Sequence, residues 1–99
     1  MIVVRNVFRL KFGKAKDALS VWKEGREIAK RAGVSGTTRV MTDLAAPFYT
    51  LVMENEFASL AEWESESKRM TQQSEWHNWY QKFLPLAESG YREIFTLVE

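Results

Sequence analysis

The stretch IVVRNVFRLKF, residues 2–12, predicts the first element of the fold, a β-strand. β-Branched and aromatic residues dominate it, and every second residue from position 2 is apolar except Asn6. Gly13 follows directly and is expected to end the strand. Because Val3 and Val7 make the other side of the strand apolar as well, the strand needs cover on both faces.

The rest of the chain is predicted to form a helix, two strands, a helical region and a last strand. The predicted boundaries are residues 15–32 for the first helix, 37–44 and 48–57 for a hairpin, 60–70 and 76–87 for two helical stretches, and 91–98 for the last strand. Gly33 is expected to cap the first helix, and Gly25 on its apolar stripe to let that helix approach the sheet. Ser59 and Glu62 have the spacing of a capping box. Pro85 is expected to end or kink the last helical stretch.

The element order predicts an α+β fold, a ferredoxin-like βαββαβ plait formed by one domain of residues 1–99. Such a plait has a four-stranded antiparallel sheet with its helices on one face. The uncovered face is expected to carry Val3, Val7, Leu51 and Met53, an apolar area larger than a soluble monomer usually exposes. We therefore predict a homodimer in which a second copy covers this face.

Composition limits the classes of function. The chain has 14 Lys and Arg against 13 Asp and Glu, a net charge of +1, which gives no basic excess for nucleic acid. It has no cysteine, so thiolate metal sites and cysteine nucleophiles are excluded, and the cytoplasm is the expected compartment. Arg5, Arg9 and Lys11 interrupt the first apolar run, so we predict no signal peptide, and no stretch is long enough to predict a membrane span.

The element order, the segment NEFASLAEWESE at residues 55–66 and the segment WHNWYQKF at residues 76–83 resemble the dimeric α/β-barrel superfamily. Within it, the chain is similar to small antibiotic-biosynthesis monooxygenase, NIPSNAP-like and stress-responsive domains. The resemblance implies two subunits whose sheets pair into a barrel with the helices outside. It also implies a pocket for a flat aromatic ligand between helices and sheet.

Members with known reactions include cofactor-independent oxygenases of polycyclic aromatics and heme-degrading monooxygenases. RNVFRLKFGKAKD, residues 5–17, is similar to the opening of the heme-degrading branch, and Asn6 matches that branch directly. Trp63 lies about one helical turn early and His77 needs a shift of one residue. The resemblance thus implies Asn6, Trp63 and His77 as catalytic residues. No metal or cofactor is predicted, with heme bound by His77 as the alternative.

Further polar and aromatic residues are candidates for binding a substrate. Asn6 interrupts an apolar face and needs hydrogen-bond partners if buried, and Tyr49 and Asn55 are predicted to share a face of the third strand. The tryptophans could line a pocket or form ordinary core. Arg5, Arg9, Lys11 and Arg39 could bind a substrate carboxylate or pair with Glu54 or Glu56 across the dimer. The candidate substrate-binding residues are Phe8, Trp22, Tyr49, Asn55, Trp76 and Trp79.

Two functions are consistent with these features. The first is a homodimeric monooxygenase-like enzyme that acts on a flat aromatic substrate in an apolar pocket. The alternative is a non-catalytic dimeric domain, small-molecule-binding or stress-responsive. In both cases the expected partners are a second copy and a small apolar or aromatic ligand, and neither nucleic acid nor a membrane is expected.

Overall fold

A computed structural model describes residues 1–34 and 38–99, with residue 38 described by its backbone alone. The elements are β1 (Ile2–Leu10), α1 (Ala15–Arg31), β2 (Thr38–Thr42), β3 (Thr50–Phe57), α2 (Leu60–Thr71), α3 (Ser74–Phe83), a 3₁₀ turn (Leu84–Leu86) and β4 (Ala87–Thr96). This order confirms the predicted α+β fold, and the interruption predicted in the second helical region separates α2 from α3. The predicted start of the second strand at residue 37 lies outside the described residues.

The four strands form one antiparallel sheet in the order β2-β3-β1-β4, the order of a ferredoxin-like plait. β1 is therefore central, between β3 and β4. Asn6 lies opposite Met53 on β3 and Arg92 on β4. This register decides which side chains share a face, because residues directly opposite each other in a sheet point to the same side.

The helices cover one face of the sheet. Leu10, Leu51 and Phe83 are at most 2% exposed and form the centre of the core, and the Phe8 ring packs edge-on against Phe83 at 5.0 Å between ring centres. Leu51 lies opposite Phe8, so it belongs to this covered face, as does Met53 two residues further along. The prediction that these two residues line the uncovered face was wrong, because the register with β1 places them on the helix side.

The other face, which we call the open face, carries a row of charged residues between apolar ones. Arg5 Nε donates to Glu54 Oε2 at 3.0 Å, and the Arg39 guanidinium donates to Glu54 Oε1. Glu54 is only 5% exposed. These pairs form within one chain, whereas the sequence suggested pairing across a dimer. Apolar side chains on this face that are at least 40% exposed are Met41, Tyr91 and Phe95.

Two predicted helix ends are confirmed. Gly33 has φ +76° just after α1, and its N–H donates to the carbonyl of Lys30 at 3.1 Å. At the start of α2, Ser59 Oγ accepts from the Glu62 N–H at 3.2 Å, and Glu62 Oε2 accepts in return from the Ala58 N–H at 2.6 Å. None of the helices in the described ranges combines the length and apolar character that a membrane span requires.

Gly25 acts differently from what the sequence indicated, and the last strand begins earlier than predicted. A Cβ on Gly25 would lie 2.6 Å from Trp79 Cε2, so this glycine lets α1 approach α3 and not the sheet. Gly90 lies inside β4, because the 3₁₀ turn at Pro85 ends the helical region and the strand begins at Ala87 rather than at residue 91. The Phe8 ring occupies the space that a side chain on Gly90 would need, at 2.7 Å.

Candidate functional site

The clearest polar arrangement on the helix-covered face joins β1, β4 and α2. Arg92 Nε donates to Asn6 Oδ1 at 2.7 Å. The same guanidinium lies over the Trp63 ring, with 5.2 Å between Arg92 Cζ and the ring centre. The register places Asn6 and Arg92 opposite each other on adjacent strands, so the bond follows from the pairing of β1 with β4. Two of the three predicted catalytic residues thus meet through a residue that was not predicted. We call this group the Asn6–Arg92–Trp63 cluster.

The cluster offers hydrogen-bond donors next to an aromatic ring. Asn6 Oδ1 accepts from Arg92, which leaves the amide Nδ2 as a donor, and no hydrogen bond in the described ranges engages that nitrogen or the two terminal nitrogens of Arg92. A guanidinium stays charged at any physiological pH. Such a set of donors suits a negatively charged oxygen, while the indole provides a face for a flat ring.

Asn55 is the second candidate amide on the covered face. It lies on β3 opposite Val4, and its Oδ1 is buried with no hydrogen-bond partner among the described residues. A buried carbonyl oxygen without a partner can accept a hydrogen bond from a ligand or from water. Tyr49, predicted to share the strand with Asn55, lies one residue before β3 with a left-handed backbone at φ 62°.

His77 lies on a different element from the Asn6–Arg92–Trp63 cluster and has different neighbours. It lies on α3, its side chain is exposed, and its ring centre lies 5.5 Å from that of Trp76 in an edge-on contact. Within residues 1–34 and 38–99, no group of three or more His, Cys, Asp or Glu side chains could hold a metal ion. A heme needs an enclosed face around its axial ligand, and an exposed imidazole beside an indole edge does not fit that requirement.

The other aromatic candidates mainly pack helices. Trp79 stacks on Phe83 at 5.5 Å and donates its indole N–H to the carbonyl of Val21, which fixes α3 against α1. Trp76 stacks on the next turn of its own helix, with 4.9 Å between its ring centre and that of Tyr80. Trp22 lies on α1 under the guanidinium of Arg26 at 5.0 Å, and Phe8 contacts the core.

Two open cavities lie outside the cluster. One, of about 420 Å³, runs between α1 and α3, where Arg31 pairs with Glu75 at 2.5 Å and Lys82 with Glu24 at 3.2 Å. The other, of about 500 Å³, lies at the end of the sheet. Its lining residues are Phe12, Ala15, Leu19, Thr42, Asp43, Phe48 and Tyr49. Neither lining includes Asn6 or Phe8, but Trp79 lines the first cavity and Tyr49 the second, and both were predicted to bind a substrate.

Electrostatics distinguish the open face from the cluster. The hydrogen bond from Arg39, followed by that from Arg5, holds the pKa of Glu54 below its usual range, although burial acts in the opposite direction. The same hydrogen bond, which Arg39 donates to Glu54, raises the pKa of Arg39. The open face therefore holds a carboxylate that stays ionised, whereas the cluster on the covered face holds a guanidinium with no carboxylate bonded to it in the described part of the chain.

Comparison with known proteins identifies the fold. No protein-family model matches the chain, and no curated protein matches its sequence. Among solved structures, an uncharacterized NIPSNAP domain protein from Burkholderia xenovorans superimposes with a TM-score of 0.88 at 15% identity, covering 99% of this chain and 95% of that one. A NIPSNAP family protein with unknown function from Agrobacterium tumefaciens gives 0.85 at 22% identity, covering 96% and 86%. The chain has the NIPSNAP-domain fold.

The chain also shares its fold with an oxygenase. SnoaB, a cofactor-independent oxygenase from Streptomyces nogalater, matches with a TM-score of 0.76 at 12% identity, covering 99% of this chain and 93% of that one. The resemblance stated from the sequence is thereby confirmed at the level of fold.

Arg92 is the residue of the Asn6–Arg92–Trp63 cluster that the sequence did not identify. Its signal was weak, because Ile94 alone is apolar among the alternate positions Gly90, Ile94 and Thr96, so Arg92 does not stand out as Asn6 does in β1. Two polar side chains that lie opposite each other on the covered face are expected to pair. Only the register between β1 and β4 shows that Asn6 and Arg92 lie opposite each other, and the alternation within a single strand does not give that register.

Proposed function

We propose that this NIPSNAP-like domain is a monooxygenase-like enzyme that binds a flat aromatic molecule with an acidic oxygen at the Asn6–Arg92–Trp63 cluster. The observation that supports this is the position of Arg92, held by Asn6 and stacked on Trp63. The ring of the ligand would lie against the indole, and its oxygen would accept from the Arg92 guanidinium and Asn6 Nδ2. Asn55 Oδ1, which lacks a described partner, would accept from a hydroxyl on the same ligand.

The donors favour the deprotonated form of the ligand, because they stabilise negative charge on its oxygen. An enolate or phenolate ring is electron-rich and is the form that dioxygen attacks without a cofactor. When a ring CH₂ becomes a carbonyl, one oxygen atom of dioxygen becomes the carbonyl oxygen on that carbon and the other leaves as water with the two hydrogens. This balance needs no reductant, so the proposal requires neither heme nor His77.

The proposal includes a homodimer in the cytoplasm. Val3, Val7 and Val52 on the open face are accompanied by exposed Tyr91 and Phe95, and a second copy would cover this area. Light scattering at micromolar protein should give twice the mass of the chain, and Val52→Lys should give the monomer. A monomer mass for the unaltered chain would contradict this part of the proposal and leave the ligand site to its own test.

Anthrone is a suitable probe, because it is flat, carries one carbonyl oxygen and has an acidic ring CH₂. We expect saturable quenching of tryptophan fluorescence, oxygen consumption and formation of anthraquinone in equal amounts. Arg92→Gln should weaken binding by about 10-fold to 100-fold, the loss expected for a charge-assisted hydrogen bond. Oxygen consumption should fall with it.

Arg26→Gln is the matched control, since Arg26 lies over Trp22 at 5.0 Å in the same kind of contact on α1. This variant should bind and turn over anthrone as the unaltered chain does. Equal loss in both variants, or no binding at all, would refute the site. Binding that depends on Arg92 without oxygen consumption would instead support the alternative function, a non-catalytic ligand-binding domain.

A further inference from the structure

The cavity at the end of the sheet is open to solvent, and its walls are mainly aromatic and aliphatic. Its volume of about 500 Å³ lies within the range typical of small-molecule pockets. Phe12 and Phe48, which line it, are 72% and 70% exposed, an unusual state for two phenylalanines that share one cavity. Tyr49 completes an aromatic wall, with its ring edge-on to Phe12 at 5.2 Å between centres.

The backbone holds this wall in place. Tyr49 has φ 62°, a backbone conformation that residues other than glycine rarely adopt. It persists only where the surrounding contacts enforce it. Its carbonyl accepts from the Leu10 N–H at 2.8 Å, which ties it to the end of β1. Thr50, the next residue, donates its N–H to Asp43 Oδ1 at 2.9 Å and its hydroxyl to the Pro47 carbonyl at 2.7 Å. The loop between β2 and β3 is therefore closed on itself, with Tyr49 fixed at the cavity.

The charge of the cavity is negative. Asp43 is the single charged side chain in the described lining, and no ion pair in the described part of the chain involves it. Its Oδ1 accepts from Thr50, so Oδ2 remains available as an acceptor. Aromatic rings together with a carboxylate are the groups that proteins use to bind an organic ammonium ion, since both the ring faces and the carboxylate attract positive charge.

We propose that this cavity binds an organic cation, an ammonium group attached to an apolar or aromatic body. The ammonium group would lie between Asp43 Oδ2 and the ring of Phe48, and the apolar body would lie along Phe12 and Leu19. This site is independent of the Asn6–Arg92–Trp63 cluster. That cluster offers donors and positive charge, whereas this cavity offers acceptors and negative charge, so the two sites select ligands of opposite charge.

Benzyltrimethylammonium is the probe, titrated into the full-length chain and followed by amide chemical shifts and calorimetry. We expect saturable binding with shifts at residues 12, 43, 48 and 49. Benzyl alcohol, a neutral molecule with the same ring, should bind at least about 10-fold more weakly, since it lacks the charge that both partners attract. Phenylacetate, which is an anion, should not bind.

Two variants and one control test the assignment. Asp43→Asn keeps an oxygen that accepts from Thr50 but removes the charge, and it should weaken cation binding by about 10-fold. Phe48→Leu keeps an apolar side chain at a position that is already exposed, and it should weaken binding by about 3-fold to 10-fold. Leu44→Ser is the control, because Leu44 is fully exposed in the same loop and does not line the cavity.

The outcomes decide the proposal whether or not Asp43→Asn folds, because Phe48→Leu replaces an exposed side chain and leaves the hydrogen bonds of the loop in place. Absence of saturable binding would refute it. So would equal affinity for the cation and for benzyl alcohol, or an affinity that Phe48→Leu leaves unchanged. None of these results changes the expected binding of anthrone, since no residue of the Asn6–Arg92–Trp63 cluster is altered.

Discussion

The two faces of the sheet bury polar groups in different ways. On the covered face, helices exclude water, the centre is apolar, and the polar pair Asn6 and Arg92 reaches the edge strand, where it stays partly solvated. On the open face, Glu54 is 5% exposed although no helix of the described chain lies over it. Its cross-strand neighbours Arg5 and Arg39 take the place of a second layer. A charged side chain can therefore be shielded from water by its neighbours on the same face of the sheet, without a helix over it.

The largest difference between the faces should appear when an aromatic ring is removed from each. Phe83→Ala should lower the free energy of unfolding by about 3–5 kcal/mol, because this ring packs against Phe8 and Trp79 in the core. Phe95→Ala on the open face, where the ring is 45% exposed, should cost about 1 kcal/mol in a monomer. Chemical denaturation followed by tryptophan fluorescence measures both. Similar losses that grow with protein concentration would show that a second copy covers Phe95.

Gly25→Ala should be a smaller change on the covered side. Alanine usually stabilises a helix interior by about 0.5–1 kcal/mol relative to glycine. Here the new Cβ would meet Trp79, whose ring is held by Phe83 and by Val21, so we expect a net loss of about 1–2 kcal/mol.

Two further variants check the cause of that loss. In a Trp79→Leu background, Gly25→Ala should no longer destabilise the chain. Ser20→Ala on the exposed side of α1 should leave stability unchanged or slightly higher. A stabilising effect of Gly25→Ala in the unaltered chain would contradict the close approach of α1 and α3.

Glu54→Gln tests the open face and should cost about 1–2 kcal/mol at neutral pH, the contribution of charge-assisted hydrogen bonds that are partly exposed to solvent. The pKa of Glu54 is lowered in the folded chain. Its contribution is therefore complete above the ordinary carboxyl pKa and is lost as the pH falls through the folded-state value. Denaturation between about pH 7 and about pH 3 should show this loss in the unaltered chain, with a weaker pH dependence in Glu54→Gln.

The exposed pair of Arg31 and Glu75 supplies the scale for that measurement. Both side chains are 58% exposed, so Glu75→Gln should change stability by no more than about 0.5 kcal/mol. A result for Glu54→Gln as small as this would mean that the row of charges on the open face contributes no more than an ordinary surface ion pair.

Most of the fold followed from local patterns in the sequence. The alternation of β1, the capping box at Ser59 and the cap at Gly33 depend on neighbouring residues, and each was confirmed. The errors arose where distant segments decide the structure. The face of Leu51 depends on its register with β1, and the role of Gly25 depends on which element packs against α1. Neither is contained in the periodicity of one element.

The candidate sites show the same division. Asn6 and Trp63 were suggested by residue type and resemblance, but their connection through Arg92 required the pairing of β1 with β4. To predict the cavity at the end of the sheet, one would need to know that Tyr49 has a left-handed backbone, a conformation that local propensity disfavours for tyrosine. Of its lining, Tyr49 alone was predicted to bind a ligand, while Phe12 and Phe48 were assigned to strands without a binding role.

The central position of β1 also determines the order in which the sheet can be assembled. Both of its neighbours, β3 and β4, come later in the chain, so during synthesis the first strand made remains without a partner until residues 50–57 are present. Its second edge stays open until β4 is complete. Strands that lie far apart in the sequence pair slowly. Meanwhile an apolar strand with two free edges can pair with another nascent chain. The Arg side chains within β1 carry like charges that repel those of another copy, which makes such pairing short-lived.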